Sequence, residues 1–185
     1  THEGFIVGTV KTLSPKYGYI LSIKAFQLFC QRIEDASFVK LVIYGKGESE
    51  QELRELCKKE HIGDKVYFGG VISNDKVPLV LNGMDVCCFG SRMDSESFGV
   101  AAVEAMACEV PVVATEVAGF KEVIIDRECG FLIHKNEPEE MAECILKLYH
   151  SEELRNCFGK NGRQRVLEKY NWDSNIDTMS VLYKE

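Results

Sequence analysis

Three features are missing from this sequence: a long hydrophobic run, an excess of positive charge, and cysteines at metal-binding spacing. No apolar stretch approaches the roughly 20 residues that a membrane-spanning helix needs, so we expect no transmembrane segment. The formal net charge of -7 and the isoelectric point near 5.2 argue against nucleic acid as a partner, because binding it needs a basic surface. The chain begins with Thr1 rather than Met, from which we expect a piece of a longer protein.

The cysteines also exclude two classes of protein. There are 8 of them, and none forms a CxxC pair or lies at zinc-ligand spacing from a histidine, so we expect no metal site. Most lie inside regular apolar patterns, as Cys87 and Cys88 do in a short β-branched run. Small buried thiols in a reducing compartment explain this placement better than a disulfide scaffold.

Short β-branched runs alternate with helical patterns as far as Ile133. Strands that are apolar on both faces and alternate with helices are typical of a parallel sheet covered on both sides. Right-handed crossovers then predict an α/β fold with a doubly wound parallel sheet, Rossmann-like in its connections. The predicted strands are residues 5–10, 38–44, 66–68, 86–89, 111–115 and 131–133, and the predicted helices are residues 19–33, 50–61, 76–83 and 98–108.

After the last predicted strand the pattern becomes helical only, so we expect a helical C-terminal portion from about residue 136 within a single domain over residues 1–185. Asn136 and Glu139 have the spacing of a capping box, which predicts a helix start there. The apolar residues of this helix would be Met141, Ile145, Leu148 and Tyr149. A charged helix over about 152–169 and a segment with the single Trp172 follow.

The loops after the predicted strands carry glycines, hydroxyls and charges, and they lie at the carboxyl edge where such sheets bind ligands. Between Gly8 and Gly18, two lysines flank the first of these loops, Lys11 and Lys16. They are either solvated surface residues or groups that neutralise charge on a departing diphosphate. The loop has neither the Walker pattern nor a GxGxxG fingerprint.

The stretch ESFGVAAVEAMACEVPVVAT contains two carboxylates, Glu96 and Glu104, among small residues. A turn into a helix near Phe98 would present free amide groups to an anion. Helical spacing places Glu104 on one face with Ala101 and Ala105. The pair is either a capping acid and a buried structural acid, or a clasp for a ligand rich in hydroxyls, since a carboxylate accepts hydrogen bonds from sugar O–H groups.

The same stretch resembles the E-x7-E donor-site signature of glycosyltransferase family 4, whose members are retaining enzymes with the two-domain GT-B fold. Five further segments resemble the family in its expected order: LVIYGKGE, VYFGGVIS, MDVCCFGS, GFKEVIIDRECGFLI and YNWDSNIDTMSVLY. The resemblance covers only the C-terminal, donor-binding half. It implies that the N-terminal acceptor domain lies outside this chain and is the partner of this domain.

The resemblance also implies a role for each matching side chain. Glu104 would hold the ribose hydroxyls of a nucleotide, and Glu96 the hydroxyls of the donor sugar. Lys16 matches the family lysine that binds the diphosphate and would act with Glu96 in catalysis. Lys11 stands where many members have an arginine, and Glu109 stands where a glycine is usual.

Four residues would bind the donor through their backbone: Phe98, Gly99 and Val100 would face the sugar and the diphosphate, and Val71 the base. The implied protein is the donor half of a retaining hexosyltransferase of glycan biosynthesis, inactive in transfer without its other half. Its substrate would be a nucleoside diphosphate sugar, with no cofactor, and its location cytoplasmic or peripheral to a membrane through the other domain. A binding module without turnover and an epimerase-like domain remain alternatives.

Overall fold

Six parallel strands form the centre of the molecule. The computed structural model describes residues 4–92, 98–171 and 176. The strands are β1 Phe5–Val10, β2 Val39–Tyr44, β3 Val66–Gly70, β4 Val86–Phe89, β5 Val112–Thr115 and β6 Gly130–Ile133. They lie in the order β3-β2-β1-β4-β5-β6 with parallel pairing throughout, which confirms the predicted doubly wound sheet.

Helices follow the strands along the chain and cover both faces of the sheet. They are α1 Tyr19–Arg32, α2 Glu50–Lys59, α3 Val77–Leu81, α4 Val100–Ala107, α5 Ala118–Val123, α6 Pro138–His150 and α7 Glu152–Lys169. The short helix α5 is absent from the sequence prediction, which treated this stretch as a loop. In the part of the chain that the structure describes, no helix combines the length and the apolar character needed to cross a membrane.

Two hydrophobic clusters, one on each face of the sheet, explain why its strands are apolar on both sides. On one face, α1, α2 and α6 bury large side chains such as Phe26 and Met141. On the other face, α3, α4 and α5 bury Met106 and Phe120. Central strands β4 and β5 are buried at every residue, so their backbone positions are set from both sides.

The predicted capping box at the start of α6 is wrong. Asn136 has a left-handed backbone with φ 63, and Glu137 occupies the N-cap without a side-chain hydrogen bond. Pro138 follows in the first helical turn, where its fixed φ and missing N–H are tolerated, so the helix begins at the proline. Instead of Glu139, Glu140 reaches back and accepts a 2.8 Å hydrogen bond from the amide of His134.

All eight cysteines are unpaired. Seven are buried or half-buried as expected, and Cys157 is the exposed exception. Burial raises the pKa of the Cys30, Cys57 and Cys144 thiols to about 11, so these groups stay protonated near neutral pH. Across residues 4–92 and 98–171 no group of three potential metal ligands comes together.

Candidate functional site

The carboxyl ends of β1 and β4 mark the point where the strand order reverses. Helix α1, which follows β1, belongs to one hydrophobic layer, while α4, which follows β4, belongs to the other. The chain therefore leaves these two adjacent strands toward opposite faces, which opens a crevice between the loops. In the described part of the chain, this crevice is bordered by residues 11–18, by residues 90–92 and by residues 98–99, which include the predicted site residues Lys11, Lys16, Phe98 and Gly99.

Backbone contacts hold the two loops together. The amide of Arg92 donates a 3.0 Å hydrogen bond to the carbonyl of Lys16. Gly18 has φ +62, and a Cβ atom at this position would lie 1.8 Å from the carbonyl oxygen of Gly90. Only glycine fits here, because any side chain would both strain the backbone and collide with the facing loop. The position of Lys16 therefore depends on the loop after β4.

The two predicted lysines approach one aromatic ring. The Nζ atom of Lys11 lies 4.1 Å from the centroid of the Tyr17 ring, and the Nζ atom of Lys16 lies 4.8 Å from it. The hydroxyl of Tyr19 donates a 2.6 Å hydrogen bond to the Lys11 carbonyl and anchors the start of the loop. Cation–π attraction helps to keep both ammonium groups at the crevice, where their charges favour an anionic ligand.

The N-terminus of α4 supplies the second feature of an anion site. Gly99 caps the helix with φ 77, and within the described ranges the amides of Phe98, Gly99 and Val100 have no hydrogen-bond acceptor. A Cβ atom on Gly99 would lie 2.9 Å from the Phe120 ring. The Nζ atom of Lys11 lies 5.7 Å from the centroid of the same ring, so the lysine loop and the start of α4 meet at Phe120.

Glu104 differs from the sequence expectation in one respect. Helical spacing predicts Glu104 on the small-residue face of α4. In the structure, Glu104 is exposed and lies outside the buried face of this helix, which consists of Ala101, Ala102, Ala105 and Met106. Nearby atoms still desolvate its carboxyl and raise its pKa. Within the described part of the chain the carboxylate has neither a hydrogen bond nor an ion pair, so the buried structural acid is ruled out as its explanation.

We expect the variant Glu104→Gln to be slightly more stable than the wild type at pH 7. The pKa of Glu104 is raised in the folded state, so folding disfavours the ionised carboxyl and this residue costs stability at neutral pH. As pH falls through the raised folded pKa the cost disappears, because the folded form then takes up its proton. Thermal unfolding at several pH values should show a higher Tm for the variant at pH 7 and no difference below about pH 4. A constant difference at every pH would contradict the desolvation argument.

Glu96 lies outside the described residues, so its predicted role stays a prediction. The final segment with Trp172 lies outside them as well. Val71, predicted to contact the base, lies in the loop after β3 and is 72% exposed. It stands at the same edge of the sheet as the lysine loop, at the far end of the strand order.

Two arginines on α7, for which the sequence suggested no role, hold the C-terminal ends of α4 and α5. Arg165 donates hydrogen bonds of 2.6 and 2.7 Å to the carbonyls of Val123 and Glu122 at the end of α5. Arg163 donates to the carbonyl of Ala107 at the end of α4. These cations cap helix C-termini, where they are favourable. Two arginines in a charged helix were a weak signal, because their partners lie about 40 to 56 residues away.

Glu109, which replaces a usual glycine of the resembled family, has a left-handed backbone with φ 60. This conformation favours glycine and explains why that residue would be common here. The chain continues close to α7, since a Cβ atom on Gly159 would lie 2.1 Å from the Glu109 carbonyl oxygen. The Glu109 side chain forms an ion pair with Arg163, in which Nε of the arginine lies 3.7 Å from Oε1 of the carboxylate.

Strand order, crevice, paired lysines and the helix N-terminus at Gly99 define a doubly wound α/β domain with a candidate anion-binding site. Comparison with known families makes the class more specific. Residues 1–165 match the family described as Glycosyl transferases group 1, and the chain belongs to this family.

Curated relatives agree with this assignment. The chain is 32% identical over 168 residues to an uncharacterized glycosyltransferase, MJ1178, of Methanocaldococcus jannaschii, covering 91% of this chain and 46% of the relative. It is 29% identical over 199 residues to the capsular polysaccharide biosynthesis glycosyltransferase CapM of Staphylococcus aureus, covering 100% of this chain and 48% of that protein. The chain thus spans about half the length of these relatives.

Solved structures show the same fold. TarM of S. aureus superposes with a TM-score of 0.88 at 25% identity, over 100% of this chain and 36% of TarM. A sucrose-phosphate synthase from Thermosynechococcus elongatus superposes with a TM-score of 0.87 at 27% identity, over 98% of this chain and 45% of that protein. The molecule is accordingly a glycosyltransferase domain of the GT-B type.

Proposed function

We propose that this chain is the donor-binding half of a retaining glycosyltransferase of family 4. The full protein would transfer a hexose-type sugar from a nucleoside diphosphate sugar to an acceptor. The observation that carries the proposal is the approach of Lys11 and Lys16 to one crevice that also receives the N-terminus of α4. Such an arrangement suits a diphosphate, whose charge grows as the sugar departs.

The chemistry of the site follows from these groups. Ammonium groups and helix amides are fixed before the reaction, so they stabilise charge on the leaving diphosphate without reorganising. They supply the positive charge that the leaving group requires, and the proposal therefore includes no metal or other cofactor. Phe98, Gly99 and Val100 would contact the donor through their amides, while Glu96 would hold the donor sugar as the resemblance implies.

The ligands and donors of similar proteins support a nucleotide sugar as the ligand of this chain. Anabaena HepE, which shares the fold with a TM-score of 0.87, was solved with UDP and glucose. A mutant of TarM was solved with UDP, Fondaparinux and alpha-GlcNAc-glycerol. A Mycobacterium tuberculosis relative that is 27% identical is a GDP-mannose-dependent mannosyltransferase. Because some of these proteins bind a uridine nucleotide and another uses a guanosine nucleotide, we propose a nucleoside diphosphate without specifying its base.

The partner of this domain would be an N-terminal acceptor domain of the same protein. The chain spans 46% and 48% of the two relatives described above, which leaves room for a second domain of similar size. Donor and acceptor would meet in a cleft closed by both domains, so residues 1–185 alone would bind the donor without transferring sugar. Eight unpaired cysteines favour a reducing, cytoplasmic location.

Replacing Glu104 by alanine tests the proposal. If its carboxylate clasps the ribose diol, Glu104→Ala should weaken nucleotide binding by roughly 1.5 to 3 kcal/mol for each charged hydrogen bond that is lost. Isothermal titration with UDP, GDP and ADP would measure this loss for the nucleotide that binds best. The fold should persist, because Glu104 is exposed and alanine is a strong helix former.

Glu153→Ala is the matched control, since it removes the same charge from an exposed position in the first turn of α7. Its nucleotide affinity should equal that of the wild type. If folded Glu104→Ala bound every nucleotide as tightly as this control, Glu104 would be an ordinary surface residue and the ribose role would be wrong.

A further inference from the structure

A buried hydroxyl stands at the carboxyl end of β5, where another valine would satisfy the apolar packing. Thr115 is the last residue of this strand, follows Val112, Val113 and Ala114, and has 0% of its surface exposed. Burying a hydroxyl costs free energy unless it is hydrogen-bonded. The Oγ1 atom of Thr115 donates a 2.6 Å hydrogen bond to the carbonyl of Ser91. This hydroxyl therefore joins the end of β5 to the loop after β4.

The strand itself holds the donor of this hydrogen bond in place. Thr115 pairs with Ile133 of β6, and the amide of the next residue, Glu116, donates a 2.8 Å hydrogen bond to the Ile133 carbonyl. On its other side β5 pairs with β4 as far as Ala114. A β-branched side chain also has few accessible χ1 rotamers. The Thr115 hydroxyl is thus a fixed point, and it binds a loop residue that lies beyond the end of β4.

From Ser91 the contact continues to the lysine that is expected to bind the diphosphate. The next residue, Arg92, donates its amide to the Lys16 carbonyl at 3.0 Å. Thr115, Ser91, Arg92 and Lys16 therefore form one series of contacts, which runs from β5 through the loop after β4 to the loop after β1. Because Thr115 has no exposed surface, it acts on a ligand only through these loops.

We propose that Thr115 is a positioning residue for the donor diphosphate, whose hydroxyl fixes the loop after β4 and, through it, Lys16. The inference rests on the proposed function of the crevice, in which Lys16 binds the diphosphate. A cation that is in place before the ligand arrives loses less conformational freedom on binding than a cation on a loop that must first be ordered. Loss of the Thr115 hydrogen bond should therefore weaken diphosphate binding without any direct contact to the ligand.

Thr115→Val and Thr115→Ser separate this role from packing. Valine removes the hydroxyl and keeps both branches at Cβ, whereas serine keeps the hydroxyl and removes a buried methyl group. We expect Thr115→Val to bind a nucleoside diphosphate about threefold to tenfold more weakly, as loss of one hydrogen bond predicts, with unchanged affinity for the nucleoside. Thr115→Ser should bind both as the wild type does, although loss of the methyl group lowers its Tm. Titration calorimetry of the 185-residue chain with UDP, GDP and ADP, and with the nucleoside of the best binder, measures these affinities.

Hydrogen exchange at the Arg92 amide reports on the loop without any ligand. NMR of the 15N-labelled chain should show exchange about threefold or more faster in Thr115→Val, because the carbonyl of the preceding residue has lost this hydrogen bond. The rate in Thr115→Ser should stay near that of the wild type.

Ser49→Ala is the matched control, because it also removes a buried hydroxyl beside the lysine loop. The Ser49 amide donates a 3.1 Å hydrogen bond to the Leu13 carbonyl, but its Oγ atom has no hydrogen-bond partner within the described part of the chain. Both the diphosphate affinity and the Arg92 exchange rate of this variant should equal those of the wild type.

Three results would overturn the inference while leaving the proposed function intact, provided that Lys16→Gln weakens diphosphate binding. The first is equal diphosphate affinity in Thr115→Val and Thr115→Ser, which would reduce Thr115 to a residue that only stabilises the fold. The second is an Arg92 exchange rate in Thr115→Val equal to that of the wild type. The third is equal weakening of diphosphate and nucleoside binding. A wild type that bound none of the three diphosphates would contradict the proposed function itself, and the role of Thr115 toward a diphosphate would fall with it.

Discussion

Gly18→Ala should lower the free energy of unfolding by about 2 to 5 kcal/mol. Two costs combine at this position. A left-handed backbone disfavours any residue with a Cβ atom, by roughly 1 to 2 kcal/mol. In addition, the Cβ atom would lie 1.8 Å from the Gly90 carbonyl oxygen, so the two loops would have to separate.

Gly70→Ala isolates the first of these costs. Gly70 has φ +68, close to that of Gly18, but a Cβ atom there meets nothing within 4 Å. This control should therefore lose only about 1 to 2 kcal/mol. Urea unfolding followed by circular dichroism would compare the two variants with the wild type. Equal losses would show that the loops after β1 and β4 are not held rigidly together.

Lys16→Gln should weaken binding of a nucleoside diphosphate about tenfold or more, because each charged hydrogen bond to a phosphate contributes roughly 1.5 to 3 kcal/mol. Affinity for the corresponding nucleoside, which has no phosphate, should not change. Titration calorimetry with UDP and uridine, or with whichever base binds best, separates the two contributions. The loss should shrink at high ionic strength, where the electrostatic contribution is screened.

Lys59→Gln removes the same charge from the last turn of α2, at the opposite edge of the sheet, and should leave both affinities unchanged. Lys11→Gln should resemble Lys16→Gln, since both ammonium groups contact the Tyr17 ring. If Lys16→Gln bound the diphosphate as tightly as the Lys59 control, the lysines would be solvated surface residues, the alternative that the sequence left open.

The positions of the strands were predictable because burial on both faces leaves a strong local pattern. β1 and β4 begin and end where their β-branched runs do. Where the local signal was weak the prediction failed, as at α5, a six-residue helix with a glycine in its first turn. It also failed at Asn136, because Pro138 imposes a different start on α6.

Residue types at the candidate site were also predictable, since lysines, glycines and a carboxylate followed the predicted strands. The environment of each of these residues could not be predicted from the sequence. Glu104 shares helical spacing with Ala101 and Ala105, yet only packing against the sheet and α7 decided that the buried face excludes it. Ser49 belongs to no sequence pattern, and only the structure shows that its buried hydroxyl has no hydrogen-bond partner among the described residues.

The sequence by itself determined that this chain is a parallel α/β domain with polar loops along one edge, because alternating apolar runs and helix periods are local properties. Only the tertiary structure decided which loops meet. Phe120 joins Lys11 to Gly99 across about 20 to 110 residues of chain. Such contacts depend on strand order and on close packing across the sheet, and neither leaves a periodic signal in the residues themselves.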